Sequence, residues 1–232
     1  PVIRGSDQLA IFKHSLPRRN PRRTDAISWV RPYLSSETGQ SSRHDSVRRL
    51  CYRGSMHRLF VAIRPPATIR RVLLATMGGV SGARWQTDEQ LHLTLRFIGE
   101  VDRHRAGDIL AALGAIHHPR FEIAVHGLGT FDRRGELETV WAGVTPHEPI
   151  KALHNKTDSA LARVGIAPEQ RAYLPHITLA RLKRSSGTVR NLIEQSGGLA
   201  SPPFQVESFA LFESRLTPEG AVYTEIETYS LD

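Results

Sequence analysis

The sequence has very little cysteine and no long apolar run, and both shortages restrict what the protein can be. Cys51 is the only cysteine among 232 residues, which excludes an internal disulfide and a zinc site built on several cysteines. No stretch approaches the roughly 18 consecutive apolar residues of a membrane span. The first thirty residues also lack the apolar block of a secretory signal. We therefore expect a globular protein of a reducing, cytoplasmic compartment with no membrane partner.

Basic residues are unevenly distributed along the chain. The net charge of +8 suggests an anionic partner such as RNA, because Lys and Arg neutralise phosphates. However, residues 1–55 hold ten Arg and one Lys against four acidic residues, whereas residues 56–232 hold twenty basic and nineteen acidic residues. The charge of the longer segment therefore gives little support to nucleic-acid binding.

Residues 1–55 show no sustained period of two or of 3.6, and Pro17, Pro21 and Pro32 interrupt them. Such a segment is predicted to be a basic extension without a core of its own. It fits a non-native or upstream-translated extension, a disordered arm that helps to hold RNA, or an Arg/Ser-rich targeting peptide. A compact apolar run, Leu59–Ile63, follows Met56 at once. We therefore predict a single folded domain over residues 56–232.

Strand-like and helix-like segments alternate in that domain. Apolar periodicity predicts helices at 67–77, 103–117 and 148–164, and strands at 59–63, 91–98, 121–127, 138–145, 175–182, 204–213 and 221–229. Several connections are short, such as the turn-forming residues 132–135, and short connections favour antiparallel pairing. The predicted class is α+β rather than a doubly wound parallel sheet.

A tetrad occurs twice in strand-like surroundings: His92-Leu93-Thr94-Leu95 and His176-Ile177-Thr178-Leu179. Because side chains alternate along a strand, each His and its Thr share one face while the aliphatic residues enter the core. A single His-x-Thr would more often be a partly buried pair with local hydrogen bonds. Its repetition favours a site in which two halves of the fold each contribute one motif.

Two histidines and two threonines suit hydrolysis of a cyclic phosphodiester. The reaction needs a base that takes a proton from water and an acid that protonates the leaving ribose oxygen, and an imidazole can serve as either near neutral pH. The threonine hydroxyls can hydrogen-bond the phosphate oxygens as charge builds there. This chemistry requires no metal or other cofactor. The remaining histidines match no metal-ligand spacing, and we interpret them as surface or locally bonded residues.

The motifs and their surroundings resemble the RNA 2',3'-cyclic phosphodiesterases, once named 2'-5' RNA ligases, of the 2H phosphoesterase superfamily. The resemblance extends from Met56 to about Tyr229 and includes Arg84-Trp85, both tetrads, and the segments 127–131 and 140–143. It implies a bilobal α+β fold with two pseudo-symmetric lobes, antiparallel sheets lining a central cleft, and helices outside. It also implies opening of the cyclic phosphate to a 2'-phosphate, with His92 as acid and His176 as base.

Two further site residues follow from the resemblance. Arg181 corresponds to an arginine that contacts the phosphate, and Phe97 to an aromatic that stacks on the nucleobase. Each lies five residues after its motif histidine, which strict alternation would place on the opposite face. We therefore expect a bulge or strand end near Ile98 and Ala180, or action from the rim of the cleft.

Other functions remain compatible with the sequence. The site could join RNA ends through a 2'-5' linkage, or hydrolyse a small cyclic nucleotide or ADP-ribose cyclic phosphate. Alternatively, the protein could bind RNA ends without catalysis, with the basic arm supplying affinity. Two paired groups able to exchange protons favour an enzyme. A monomer is expected because the cleft would form within one chain.

Overall fold

A computed structural model describes residues 56–218 and 220–232. The strands in this part of the chain are β1 (Met56–Ile63), β2 (Arg84–Trp85), β3 (Leu93–Asp102), β4 (Phe121–Arg133), β5 (Glu136–Thr145), β6 (His176–Arg181), β7 (Phe204–Val206), β8 (Ser208–Thr217) and β9 (Gly220–Ser230). The α-helices are α1 (Ala67–Thr76), α2 (Arg103–Leu113), α3 (His147–Arg163) and α4 (Arg190–Ser196), and a 3-10 turn covers Asp88–Gln90. The predictions for residues 1–55 lie outside the described residues.

The strands form one antiparallel sheet in the order β7-β4-β5-β6-β3-β1-β8-β9, with β2 beside β6. The two motif strands, β3 and β6, are its central neighbours. Each is flanked on its outer side by further strands: β1, β8 and β9 beyond β3, and β5, β4 and β7 beyond β6. The sheet therefore consists of two pseudo-symmetric halves, which confirms the predicted α+β fold. The halves are continuous through one residue pair, Leu93 with Ile177.

The helices α1, α2 and α3 pack on the core side of this sheet. Their apolar faces supply Ile69, Ile109 and Ile150, all 3% exposed or less, to the main core cluster. The aliphatic residues of both tetrads join the same cluster. Packing on this side fixes the central strands and leaves the opposite face of the sheet available for polar side chains. No helix among the described residues is long and apolar enough to cross a membrane.

Most predicted elements are present, and the differences have local causes. The α2 helix ends at Leu113 rather than at 117, and its C-cap is Gly114, a residue of low helix propensity. The predicted strand 204–213 is divided into β7 and β8. The β2 strand and α4 were not predicted, because two and seven residues are too short for a periodic pattern. The predicted β4–β5 turn is a hairpin with left-handed Arg134 and Gly135.

Candidate active site

The paired tetrads lie at the centre of the sheet with the expected alternation. Leu93 and Leu95 are each 1% exposed, and Ile177 and Leu179 are fully buried. The motif histidines and threonines, which alternate with these aliphatic residues, are half-buried. Both tetrads therefore present their polar side chains on the face that the helices leave open.

The register across the two motif strands sets the arrangement of these side chains. Leu93 pairs with Ile177 in antiparallel register. Extending that register by one residue each way sets His92 opposite Thr178 and His176 opposite Thr94. On this extended register, the four polar side chains would alternate around the pseudo-two-fold axis, with the imidazoles at diagonal corners. An anion at the centre would have one imidazole on each side, as an in-line displacement requires.

Each of the two histidines is held by an equivalent hydrogen bond from Nδ1 to a backbone carbonyl. Nδ1 of His92 donates to the Gln90 carbonyl oxygen at 2.7 Å, and Nδ1 of His176 donates to the Leu174 carbonyl oxygen at 2.8 Å. Because a carbonyl only accepts, each bond requires the proton on Nδ1. Nε2 is therefore left to exchange protons with a ligand. It acts as a base when the ring is neutral and as an acid when the ring is charged.

The surroundings of both imidazoles disfavour the charged ring. Burial, with smaller contributions from the charges of His176 and Arg181, lowers the pKa of His92 from 6.5 to about 4, against the opposing effect of the Gln90 hydrogen bond. Burial likewise lowers the pKa of His176 to about 4, with a contribution from Arg181. At neutral pH both rings are neutral in the free protein. A bound anion would raise the pKa of an adjacent imidazole.

Aromatic rings fix the orientation of each imidazole. The rings of Phe60 and Tyr223 lie with their centroids 4.9 and 5.2 Å from that of His92. The centroid of Phe131 lies 4.8 Å from that of His176, in an edge-on arrangement. Such contacts restrict ring rotation and exclude water from one side of each imidazole, which contributes to the lowered pKa values.

A bulge occurs in each motif strand, three residues after the histidine. The register of β1 with β3 skips Leu95, and that of β5 with β6 skips Leu179, one residue before the expected Ala180. Each bulge shifts the alternation by one residue, so Phe97 and Arg181 return to the face of their histidines. This explains how an offset of five is compatible with a shared site. A second bulge of β3 lies at Ile98, as expected, but it follows Phe97 and does not affect the face on which Phe97 lies.

The carbonyls at the two bulges are satisfied by other parts of the chain. His154 of α3 donates from Nδ1 to the Leu95 carbonyl at 2.7 Å, and its ring stacks at 4.0 Å on Tyr173. The Tyr173 hydroxyl donates to the neighbouring Thr94 carbonyl at 2.9 Å. In β6, the backbone N–H of Gln86 donates to the Leu179 carbonyl at 2.8 Å. These bonds stabilise backbone that ordinary strand pairing would leave unpaired.

Phe97 and Arg181 occupy equivalent positions in the two halves but have different chemistry. The Phe97 side chain is 54% exposed, with its ring 6.0 Å from that of Phe60, so it is not a core aromatic. Arg181 donates from Nη1 to the hydroxyl of Thr139 at 3.0 Å. The site thus has an exposed aromatic surface on one side of its axis and a guanidinium on the other.

All six predicted site residues therefore lie on one face, but sequence reasoning missed several of their neighbours. Phe60 was predicted only as part of an apolar strand, and Phe131 only as part of the segment 127–131 that carries the resemblance. Tyr223 lies in a closing strand that carried no motif. Arg84 belongs to the Arg84-Trp85 pair that marked the resemblance, yet no role followed from it. Among the described residues, no group of three or more His, Cys, Asp or Glu side chains is arranged to hold a metal ion.

A pseudo-symmetric antiparallel sheet with one His-x-Thr motif from each half defines a 2H phosphoesterase fold. The model of the 2'-5' RNA ligase superfamily matches residues 65–217, and the chain belongs to this family. The resemblance that the sequence predicted is thereby confirmed.

Individual relatives agree with this assignment. An RNA 2',3'-cyclic phosphodiesterase of Archaeoglobus fulgidus is 30% identical over 175 residues, covering 74% of this chain and 99% of the relative. One from Thermus thermophilus is 34% identical over 186 residues, covering 75% and 90%. The crystal structure of E. coli LigT complexed with 3'-AMP superposes with a TM-score of 0.62 at 27% identity, covering 76% of this chain and 98% of LigT.

Proposed function

We propose that this protein hydrolyses 2',3'-cyclic phosphate ends of RNA to 2'-phosphates, with His92 and His176 as its acid and base. The observation that carries the proposal is the equivalent Nδ1-to-carbonyl hydrogen bond of both histidines, 2.7 and 2.8 Å long, on either side of one axis. Nε2 is then the proton-exchanging atom of both rings. The names of the relatives, RNA 2',3'-cyclic phosphodiesterases, supply the substrate class.

In the proposed reaction, neutral His176 takes a proton from water at Nε2 while the water oxygen attacks phosphorus. The bond from phosphorus to the 3' oxygen breaks, and His92 gives its Nε2 proton to that oxygen. The product carries a 2'-phosphate and a free 3' hydroxyl. His92 must therefore bind a proton together with the substrate, and the phosphate anion favours this because it raises the pKa of an adjacent imidazole.

The other site residues bind and orient the substrate in this proposal. The hydroxyls of Thr94 and Thr178 donate to the non-bridging phosphate oxygens, where charge increases in the transition state. Arg181 binds the same phosphate through its planar guanidinium. Phe97 stacks on the base of the terminal nucleotide, which tolerates any base because every base has an aromatic face.

The proposed function is tested with an oligonucleotide that ends in a 2',3'-cyclic phosphate, incubated with the full chain in EDTA. We expect a 2'-phosphate product, and a loss of about 10²–10⁴ in rate for His92→Ala and for His176→Ala. A 3'-phosphate product would overturn the assigned direction, and full turnover by either variant would remove the acid–base pair. Joined RNA ends would indicate a 2'-5' RNA ligase instead, and turnover of small cyclic nucleotides alone would indicate a cyclic-nucleotide phosphodiesterase.

A sulfur substitution separates the acid from the base. A thiolate leaves without protonation, so replacing the 3' oxygen of the cyclic phosphate by sulfur removes the need for an acid. The 3'-thio substrate should restore turnover to His92→Ala but not to His176→Ala. If the 3'-thio substrate restored turnover to His176→Ala instead, His176 would be the acid and His92 the base.

We further propose a monomer in a reducing, cytoplasmic compartment. The six site residues come from one chain, so no second copy is needed to complete the site. Residues 1–55 are proposed to be separate from the catalytic unit.

A further inference from the structure

A second guanidinium lies next to the phosphate-binding arginine of the proposed site. Arg84 of β2 pairs directly with Arg181 of β6 in antiparallel register. Residues opposite one another in such a pair project to the same face, with Cβ atoms about 4.5–5.5 Å apart. Arg84 is exposed. Two positive side chains therefore share the open face at one end of the motif strand.

The position of Arg84 is fixed by its surroundings. The next residue, Trp85, packs against the main core cluster and against a smaller cluster that includes Val140 and Ala180. The backbone N–H of Gln86 donates a hydrogen bond to the Leu179 carbonyl of β6. On the other side, a Cβ placed on Gly220 would meet Nη1 of Arg84 at 3.7 Å, so the guanidinium lies next to the start of β9. This short strand is thereby held in place before any ligand binds.

The pair carries more positive charge than its neighbours neutralise. Among residues 56–218 and 220–232, no ion pair joins Arg84 or Arg181 to a carboxylate within 4.0 Å. Glu138 acts electrostatically on Arg181, and both arginines act on the phenol of Tyr223. Since two adjacent guanidiniums repel each other, anions bound between or beside them would stabilise the arrangement.

We propose that Arg84 binds the internucleotide phosphate next to the cyclic phosphate end, so the site prefers an RNA oligonucleotide to a mononucleotide 2',3'-cyclic phosphate. This inference rests on the proposed function, in which Arg181 binds the terminal phosphate. A single RNA strand carries one phosphate per nucleotide, and two long side chains on neighbouring strands can contact consecutive phosphates. A mononucleotide lacks the second phosphate and cannot use Arg84.

Kinetics on two substrates test the preference. For Arg84→Ala, kcat/KM on a dinucleotide with a 2',3'-cyclic phosphate end should fall about tenfold, as expected for loss of one charged hydrogen-bonded contact. Turnover of the matching mononucleotide cyclic phosphate should stay near the wild-type value. Arg163→Ala, which removes an exposed charge from α3 on the other side of the sheet, is the matched control and should affect neither substrate. Equal losses on both substrates, or none, would overturn the proposal.

A neutral linkage provides a second comparison. Replacing the internucleotide phosphate by an uncharged methylphosphonate should lower wild-type kcat/KM about as much as Arg84→Ala does. The same replacement should have little further effect on the variant, since the contact is already lost. Additive losses would show that Arg84 and this phosphate do not interact.

A binding measurement tests the role of Arg84 independently of catalysis. We would measure the affinity of a fluorescent oligonucleotide with a 2'-phosphate end over a series of salt concentrations. Arg84→Ala should reduce the slope of log affinity against log salt by about 0.7, the value for one phosphate contact on a single strand. An unchanged slope would refute the contact. If the wild type hydrolyses neither substrate, the proposed function fails, and this slope still decides the role of Arg84.

Discussion

Acid should destabilise this protein through the same two histidines that form its site. The folded protein holds the pKa of His176 at about 4, whereas an unfolded chain has the ordinary value of 6.5. Between these values the unfolded state binds the proton more tightly, so falling pH favours unfolding. The stabilisation is fully present above pH 6.5 and is lost as pH falls towards 4. His92 behaves in the same way.

The magnitude follows from the two pKa values. Lowering the pH from about 7.5 to about 4.5 should remove up to about 2.5 kcal/mol of the free energy of unfolding per histidine. His176→Asn cannot take up this proton. Its free energy of unfolding should therefore fall less than that of the wild type over this interval, by about 2.5 kcal/mol.

Urea unfolding of the full chain at both pH values measures this difference, with the wild type and the variant treated alike. Comparing the two proteins removes the contribution of carboxylates that titrate over the same interval. NMR titration of the His176 ring gives a direct check, with a midpoint near pH 4. The same pH dependence in both proteins, together with a ring midpoint near 6.5, would refute the argument from burial.

Two further predictions concern the packing around the site. Gly129→Ala should destabilise the protein by about 1–3 kcal/mol and lower kcat/KM, because the added Cβ would lie 2.2 Å from the Trp141 ring, which packs near His176. Gly107→Ala, with no atom within 4 Å of the added Cβ, is the control in urea unfolding and should lose no stability. Phe97→Ala should raise KM for the oligonucleotide by the equivalent of about 1–3 kcal/mol without changing urea unfolding, since the ring is exposed; an unchanged KM would exclude base stacking there.

The central features of the site could be predicted from local sequence. Each tetrad places its polar residues on one face because strands alternate, and the apolar residues between them have to be buried. The predicted helices and strands likewise follow from apolar periodicity. The repetition of the tetrad then indicated two related halves. These inferences depend on neighbours in the chain, and local sequence is sufficient for them.

The resemblance predicted that Phe97 and Arg181 belong to the site. Only the tertiary structure explains how residues five positions after the motif histidines come to lie on the same face as those histidines. At the bulges, the carbonyls of Leu95 and Leu179 accept hydrogen bonds from His154 and from the Gln86 backbone, which are distant in sequence. No local pattern in β3 or β6 identifies these bonding partners.

What the sequence by itself determined is the chemistry of the site. Each motif strand contributes one imidazole and one hydroxyl on the same face. What only the tertiary structure decided is the arrangement, including the diagonal register around Leu93 and Ile177 and the position of Arg84 beside Arg181. The physical reason is that alternation along a strand is local, whereas the neighbours of a strand in a sheet are set by packing of the whole core.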